Sequence, residues 1–236
     1  MSSLNLLKNL QLHKGPKGFQ ILAQGRPLKI NNKEINIPSK RFAESLMVEW
    51  RMLKELKPSK LPLSQLYSRS VDFKDVDEKR KCSDQLLKFF NNDSLCFLGE
   101  FPSNLKELQE THCKPLLKDL RSKFDLKLPT TKTLSLNPHS EDVKAIANLL
   151  ERTNNIELAA LERSAITAKS LLIGVALCNG MISSKQATIL ARLETVAQIE
   201  WFGEVEDSHD IDEEYVIREL NGVKLFLNSF TVKSFQ

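Results

Sequence analysis

Residues 156–178, which read IELAALERSAITAKSLLIGVALC, are the most apolar part of this 236-residue chain. On a helix, their apolar side chains cover most of the circumference and leave only a narrow stripe of Arg163, Thr167, Ser170 and Gly174. A helix that is apolar on nearly all sides lies inside a protein rather than on its surface. The stretch therefore predicts one continuous helix at the buried centre of a helical bundle.

Two more helices are predicted after this central stretch. Asn179-Gly180 is typical of a left-handed C-cap, which ends a helix. Ser183, with Gln186 three residues later, has the spacing of a capping box and predicts a helix that continues to Trp201. Asp210 predicts the start of a third helix. These helices complete the predicted C-terminal bundle.

The N-terminal part has the pattern of short strands. Between Gly18 and Pro38, apolar and polar residues alternate, with interruptions at Gly25-Arg26 and Asn31-Asn32, which is typical of a small antiparallel meander. Ser39 is placed as the N-cap of a helix with apolar residues at helical spacing up to Pro58. We expect this helix to cover one face of the meander.

The fold class is therefore predicted as α+β. A small N-terminal domain of antiparallel sheet plus helix is expected at residues 1–60, and a C-terminal, mainly helical domain at residues 61–236. Short extended segments are expected near Ser94–Leu98 and Thr133–Leu136, because these are the later runs with strand character. Helices are expected to stop at four prolines, namely Pro102, Pro115, Pro129 and Pro138.

Composition excludes several classes of protein. With 41% apolar and 27% charged residues, only 8 Gly and 9 Pro, the chain is typical of a compact ordered protein. Its four cysteines form no CxxC pair, which favours buried thiols in a reducing compartment over metal or redox chemistry. The longest uncharged stretch of the apolar region, Ser170–Ser184, is shorter than the ~20 residues of a membrane-spanning helix, so no membrane insertion is expected.

Charge is distributed unevenly along the chain. Residues 1–60 carry a net charge of +8, whereas residues 190–220 carry two Arg against ten Asp and Glu, a net charge of −8. Two opposite poles favour docking of a protein over binding of nucleic acid, for which a single basic stripe is typical. The first residues lack acids but are not rich in Arg or Ser, so no transit peptide is evident and we interpret them as the start of a mature chain.

No motif indicates catalysis, a cofactor or a metal. Gly15–Gly18 lacks the Lys-Ser/Thr ending of a phosphate loop and is interpreted as a turn. Ser208-His209-Asp210 are consecutive, and three consecutive side chains cannot form a catalytic triad. The acidic segment 204–214 lacks the glycine and the closing glutamate of an EF-hand, which favours a charged surface and leaves cation binding open. The aromatic residues are interpreted as core.

Four groups of segments together resemble one family of proteins. They extend from Gly18 to about Asp212 and include, in order, GFQIL at 18–22, GRPLK at 25–29, IPS at 37–39, AES at 43–45, EW at 49–50, LPLSQL at 61–66, NDSLCF at 92–97, KPLL at 114–117, LE at 161–162, AKSL at 168–171, NG at 179–180, ARLE at 191–194, Gln198, Glu200 and GEVED at 203–207. In this order and spacing they are similar to the assembly chaperones for the α subunit of the mitochondrial ATP synthase catalytic head.

The chain departs from the family pattern at three points. Arg51 stands where the family usually has Asp, and His112-Cys113 replaces a Trp-Asp pair. Phe202 replaces a Trp before Gly203 but keeps an aromatic ring. The resemblance is therefore to a divergent member of the family.

The resemblance implies a protein without cofactor or catalytic activity. Members of the family bind the unassembled α subunit in the mitochondrial matrix and shield its interface until the β subunit replaces them. We accordingly expect a monomeric chaperone whose partner is the α subunit and which binds no nucleic acid.

The resemblance also directs attention to an acidic part of the second C-terminal helix. Glu194 and Gln198 are four residues apart and share a helical face, whereas Glu200 points elsewhere. We expect this region to meet a basic or polar patch of the α subunit. The predicted partner-binding residues are Glu194, Gln198, Glu200, Phe202, Glu49 and Trp50.

Two alternatives stay open. The two-part plan and the clustered carboxylates are also compatible with a small-ligand-binding protein or an enzyme that has its site between the two domains. Binding of nucleic acid through the basic first 60 residues would instead appear as a strongly salt-dependent affinity for any duplex.

Overall fold

The computed structural model describes residues 7, 9–30, 33–53, 57, 60–133, 136–203 and 209–230. Within these ranges, a small antiparallel sheet and its covering helix come first, and helices make up nearly all of the rest. The predicted α+β class and the order of its two parts are confirmed.

The sheet is an antiparallel meander with a separate two-stranded ribbon beside it. Its order is β1-β2-β3, and β4 pairs with β5. The strands are β1 (Leu10–Gly15), β2 (Gly18–Ala23), β3 (Arg26–Pro27), β4 (Lys29–Ile30) and β5 (Lys33–Glu34). The predicted break at Asn31-Asn32 lies outside the described residues.

The meander begins at Leu10, so the predicted start at Gly18 is wrong. β1 is an edge strand with few buried side chains, and its alternating pattern is short and rich in polar residues. Gly15 and Gly18 face each other across the predicted turn. Gly18 has φ +126°, and a Cβ atom there would lie 2.6 Å from the carbonyl oxygen of Ile37, so only glycine fits.

The first helix, α1 (Lys40–Arg51), covers the meander as predicted. The Ser39 side chain accepts a hydrogen bond of 3.2 Å from the Phe42 N–H, which confirms the predicted N-cap. The helix ends at Arg51 and not at Pro58. Its buried face includes Phe42, Leu46 and Trp50.

Nine helices follow within the described residues. They are α2 (Pro62–Asp72), α3 (Val76–Asn91), α4 (Ser103–Phe124), α5 (Ser140–Arg152), α6 (Asn155–Ala168), α7 (Leu171–Cys178), α8 (Ser184–Ala191), α9 (Leu193–Phe202) and α10 (His209–Ser229). None of the described helices is long and apolar enough to cross a membrane.

The central apolar stretch forms two helices, not the single one predicted. Lys169 adopts a left-handed conformation with φ 55°, which ends α6. Ser170 then caps α7 by accepting a hydrogen bond from the Ile173 N–H. The two helices pack closely because Gly174 has no side chain, since a Cβ atom there would lie 2.9 Å from the Ser164 hydroxyl oxygen.

Several other predicted boundaries also differ from the structure. The predicted helix from Ser183 to Trp201 is interrupted at Arg192 and gives α8 and α9. α4 continues through Pro115, where one apolar face of buried leucines holds both halves together despite the lost backbone hydrogen bond.

In the predicted extended run at Ser94–Leu98, residues 94–96 form a short 3₁₀ helix, and only Phe97 makes a β-bridge, to Thr131. The other run, Thr133–Leu136, lies partly outside the described residues.

The predicted caps near the end of the chain are confirmed. Gly180 has φ 68°, and the Met181 N–H donates to the Ala176 carbonyl. Ser183 and Gln186 form the reciprocal hydrogen bonds of a capping box.

The sheet, α1 and the bundle share one apolar core. The Phe42 ring lies 5.3 Å from Tyr67, 5.2 Å from Phe226 and 4.9 Å from Phe230, measured between ring centroids. The Tyr67 hydroxyl donates a 2.6 Å hydrogen bond to the Asn36 carbonyl. These contacts cross residue 60, where the sequence predicts a boundary between two domains. The division into domains there stays a prediction.

The four cysteines are free thiols, and none of them is classed as exposed. Cys82, Cys96 and Cys113 are buried and Cys178 is half-buried. Burial raises the pKa of Cys82, Cys96 and Cys178 to about 12 and that of Cys113 to about 11. All four therefore stay protonated near neutral pH.

Candidate functional site

Helix α9 presents a line of exposed side chains. Leu193 and Ala197 are buried and fix the inner face of the helix, which packs on α4. Glu194, Gln198 and Phe202 recur at intervals of four residues, and all three are exposed. Helical geometry places such residues on one face. The structure therefore brings three of the predicted partner-binding residues onto a common stripe.

Glu200 lies to the side of this stripe. Its carboxylate accepts a 2.7 Å hydrogen bond from the Asn104 side-chain amide in the first turn of α4. The same amide donates to the Ala197 carbonyl at 3.2 Å. These contacts fix the end of α9 against the start of α4.

Three aromatic rings cluster at this end of α9. Phe101 lies 5.7 Å from Trp201 and 6.1 Å from Phe202, between ring centroids, with interplanar angles of 73° and 62°. Their exposed fractions are 64% for Phe101, 51% for Trp201 and 70% for Phe202. Large apolar side chains exposed together are typical of an interaction surface. The interpretation of the aromatic residues as core is therefore wrong for Phe101 and Trp201, whereas Phe202 is exposed, as a partner-binding residue would be.

We call this region the α9 surface and define it by Glu194, Gln198, Glu200, Trp201, Phe202 and Phe101. Sequence reasoning missed Phe101 and Trp201. Two consecutive aromatic residues at the end of a helix, Trp201 and Phe202, cannot both face the core, and this signal was available in the sequence. Phe101 gave no such signal, because its neighbours in the cluster are a hundred positions away.

Glu49 and Trp50 lie elsewhere, at the junction of α1 and α2. The Glu49 carboxylate accepts hydrogen bonds from the Leu63 N–H at 2.7 Å and from the Ser64 N–H at 3.0 Å, and so caps α2. The Trp50 indole N–H donates to the Ser64 hydroxyl at 2.7 Å. Burial raises the pKa of Glu49. Both residues stabilise the chain internally, and a partner-binding role for them stays a prediction.

The residues at which the chain departs from the family pattern fit their surroundings in the structure. The Arg51 guanidinium donates a 2.8 Å hydrogen bond to the Leu10 carbonyl, which ties the end of α1 to β1. His112 is half-buried, and Cys113 is buried on the inner face of α4.

A cavity of about 630 Å³ lies between the sheet and the bundle. Its walls come from the β3–β4 connection, α1, α2 and α6. Half of its sixteen lining residues are apolar, namely Leu7, Leu28, Trp50, Leu53, Leu61, Leu66, Ala159 and Ile166.

Ion pairs brace the helical wall of the cavity. The Arg69 guanidinium on α2 binds the Glu162 carboxylate on α6 through two hydrogen bonds, of 2.7 and 2.8 Å. These bonds raise the pKa of Arg69. Arg163 donates to the Gln65 side chain at 2.7 Å and lies 3.4 Å from the buried carboxylate of Glu219 on α10. Burial raises the pKa of Glu219.

The acidic segment is only partly described. Residues 204–208 lie outside the described ranges, including Ser208 of the Ser-His-Asp sequence. Arg192 pairs with Asp212 and Glu213 near the start of α10. The described residues contain no group of three His, Cys, Asp or Glu that could hold a metal ion.

Comparisons of sequence connect the chain to one family. The family model "ATP12 chaperone protein" matches residues 6–121. The mitochondrial protein atp12 of Schizosaccharomyces pombe is 28% identical over 208 residues, with 82% of this chain and 72% of the relative covered. Mitochondrial ATP12 of Saccharomyces cerevisiae is 26% identical, with 90% and 79% covered.

Solved structures share the fold. Atp12 of Paracoccus denitrificans superposes with a TM-score of 0.80 at 20% identity and covers 93% of this chain and 95% of its own. A solved protein of Agrobacterium tumefaciens gives a TM-score of 0.82 at 24% identity, with 94% and 84% covered. The matched model spans the sheet, α1 and the helices through most of α4, and the curated relatives extend the match over most of the chain. The chain is therefore similar to the ATP12 chaperone family.

Proposed function

We propose that this protein binds the unassembled α subunit of the mitochondrial ATP synthase catalytic head and shields its interface until the β subunit replaces it. It acts in the matrix, as a monomer and without catalysis. The observation that carries the proposal is the α9 surface, where three exposed aromatic rings stand beside two exposed carboxylates. The similarity of the chain to a family of chaperones supports a protein partner for this surface.

The chemistry of the α9 surface defines its partner. Exposed aromatic rings contribute most when a partner removes them from water, and aromatic residues are common at the energetic centre of interfaces. The surrounding sequence, residues 190–220, has a net charge of −8. A partner surface that combines apolar side chains with Lys or Arg would therefore complement it.

Release requires only competition. Two ligands that cover the same surface exclude each other, and the one with the higher affinity at its local concentration prevails. A chaperone that covers the part of the α subunit to which β binds would leave when β arrives. No nucleotide hydrolysis is needed for this exchange.

Co-expression with the α and β subunits separately, followed by size-exclusion chromatography at moderate salt, tests the proposal. We expect a complex with α alone that dissociates when β is added.

The double variant E194K/E200K should weaken the α complex by roughly tenfold or more, because it places two cations where a basic partner docks. The matched control E44K/E110K reverses two exposed carboxylates elsewhere and should leave binding unchanged. Absence of an α complex, or intact binding by E194K/E200K, would contradict the proposal.

A further inference from the structure

The cavity between the sheet and the bundle has the size of a small-ligand site. Its volume of about 630 Å³ falls within the roughly 300–1,000 Å³ that is typical of such sites. The Arg69–Glu162 pair holds α2 against α6, so the helical wall is fixed without a ligand. Ile166 stands at the rim with an exposed fraction of 54%.

The wall offers mainly apolar contact. The Trp50 N–H is bound to Ser64, and the Arg69 guanidinium is bound to Glu162. Asp72, another carboxylate on the wall, is also engaged within the chain. A ligand would therefore gain most of its affinity by covering aliphatic and indole surface rather than by replacing these internal hydrogen bonds.

One cation on the wall differs from the others. Arg69 and Arg163 are paired with carboxylates, whereas Lys29 has no ion pair with any residue that the structure describes. Glu34 lies opposite Lys29 in the β4–β5 pair, yet no ion pair joins the two. Among the described residues of the wall, Lys29 is thus a positive charge without an ion pair, at the edge of an apolar space.

We propose that this cavity binds a small amphiphile, consisting of an apolar hydrocarbon body and one anionic group that pairs with Lys29. The body occupies the space lined by Leu28, Leu66 and Ile166. This binding site is separate from the α9 surface, and the inference does not depend on the proposed chaperone function.

Two matched probes test the proposal. 1-Anilinonaphthalene-8-sulfonate is an apolar molecule with one anionic group, and N-phenyl-1-naphthylamine is its uncharged analogue. The chain has two tryptophans, so the W201F variant leaves Trp50, in the cavity wall, as the sole tryptophan reporter. We expect both probes to quench Trp50 emission by energy transfer and to saturate at one equivalent.

Substitutions then locate the probe and its charge. I166E places a carboxylate at the exposed rim and should weaken binding of the neutral probe on the order of tenfold, whereas V76E, at an exposed apolar residue outside the cavity, should not. K29M retains the aliphatic stem and should weaken the sulfonate about fivefold while leaving the neutral probe unchanged. K17M is the matched control in the β1–β2 turn.

Each other outcome overturns the proposal. Binding that I166E leaves intact would place the probes outside the cavity. Equal effects of K29M on both probes would exclude recognition of an anionic group. Displacement of the neutral probe by purified α subunit would assign the cavity to a client segment rather than to a small molecule. The probe titrations with the variants use this chain alone and do not require α binding. Failure of the chaperone proposal therefore would not affect their result.

Discussion

The Asp93 carboxylate is a single buried residue that fixes the centre of the bundle. It accepts hydrogen bonds from the Leu95 N–H at 3.0 Å, the Ser170 hydroxyl at 2.6 Å and the Leu172 N–H at 2.9 Å. Burial raises its pKa from 3.8 to about 6 despite these bonds. The sequence marked Ser170 as polar within an apolar stretch but gave no indication of Asp93 as its partner, because 77 positions separate them.

This raised pKa predicts a pH dependence of stability. Protonation of Asp93 is easier in the folded state, so its stabilising contribution is full below about pH 4 and is lost as pH rises through about 6. Relative to D93N, which does not titrate, the wild-type free energy of unfolding should fall by roughly 2–3 kcal/mol between pH 4 and pH 7. Urea unfolding at both pH values measures this difference. A constant difference between the two proteins would contradict the assignment, and D84N provides an exposed control.

Whole elements were predicted better than their ends. The N-cap at Ser39, the capping box at Ser183 and the turn at Gly180 follow local chemistry, and all three are where the sequence placed them. At the break, the Lys169 carbonyl accepts a hydrogen bond from the Ser94 hydroxyl of a distant segment, and α4 continues through Pro115 with buried leucines on one face. Local patterns do not contain such contacts, which is why these two predictions failed.

The exposed aromatic cluster of the α9 surface should contribute directly to binding of the α subunit. F101S/F202S should weaken binding of the α subunit at least tenfold or so, because truncation of exposed aromatic anchors removes most of their buried contact area. Its thermal unfolding should change little, since both rings are already exposed in the free protein. The control V76S removes an equally exposed apolar side chain from α3. Unchanged binding by F101S/F202S, measured by titration on immobilised α subunit, would exclude the aromatic cluster from the interface.

At the scale of the whole molecule, the shared core predicts one cooperative unfolding transition. Phe42 is fully buried and touches rings from α2, α10 and the residue that follows α10. F42A should therefore reduce the free energy of unfolding by roughly 3–5 kcal/mol and shift both parts together. Trp50 fluorescence in a W201F background and far-UV circular dichroism should give coincident transitions. F89A, at a partly exposed ring on α3, is the control, and two separate transitions would instead support independent domains divided at residue 60.

The sequence was sufficient to predict the fold class and the resemblance to a family, since alternation, caps and ordered short motifs are local signals. It was insufficient for the α9 surface as a unit, because Phe101 joins Trp201 only after α4 and α9 pack together. The cavity likewise arises from four elements that meet only in three dimensions. Local patterns in a sequence contain no information about these long-range contacts.

Three of the four native cysteines are buried, Cys178 is half-buried, and all four thiols are protonated near neutral pH. Maleimides should therefore react slowly with them, because such reagents attack an accessible thiolate. A single cysteine introduced on the outer stripe of α9, for example Q198C, would then be the one fast-reacting group among the described residues. A photo-crosslinker or spin label could be attached there stoichiometrically without first removing any native sulfur. Such a label would allow the surface that a partner contacts to be mapped from one defined position.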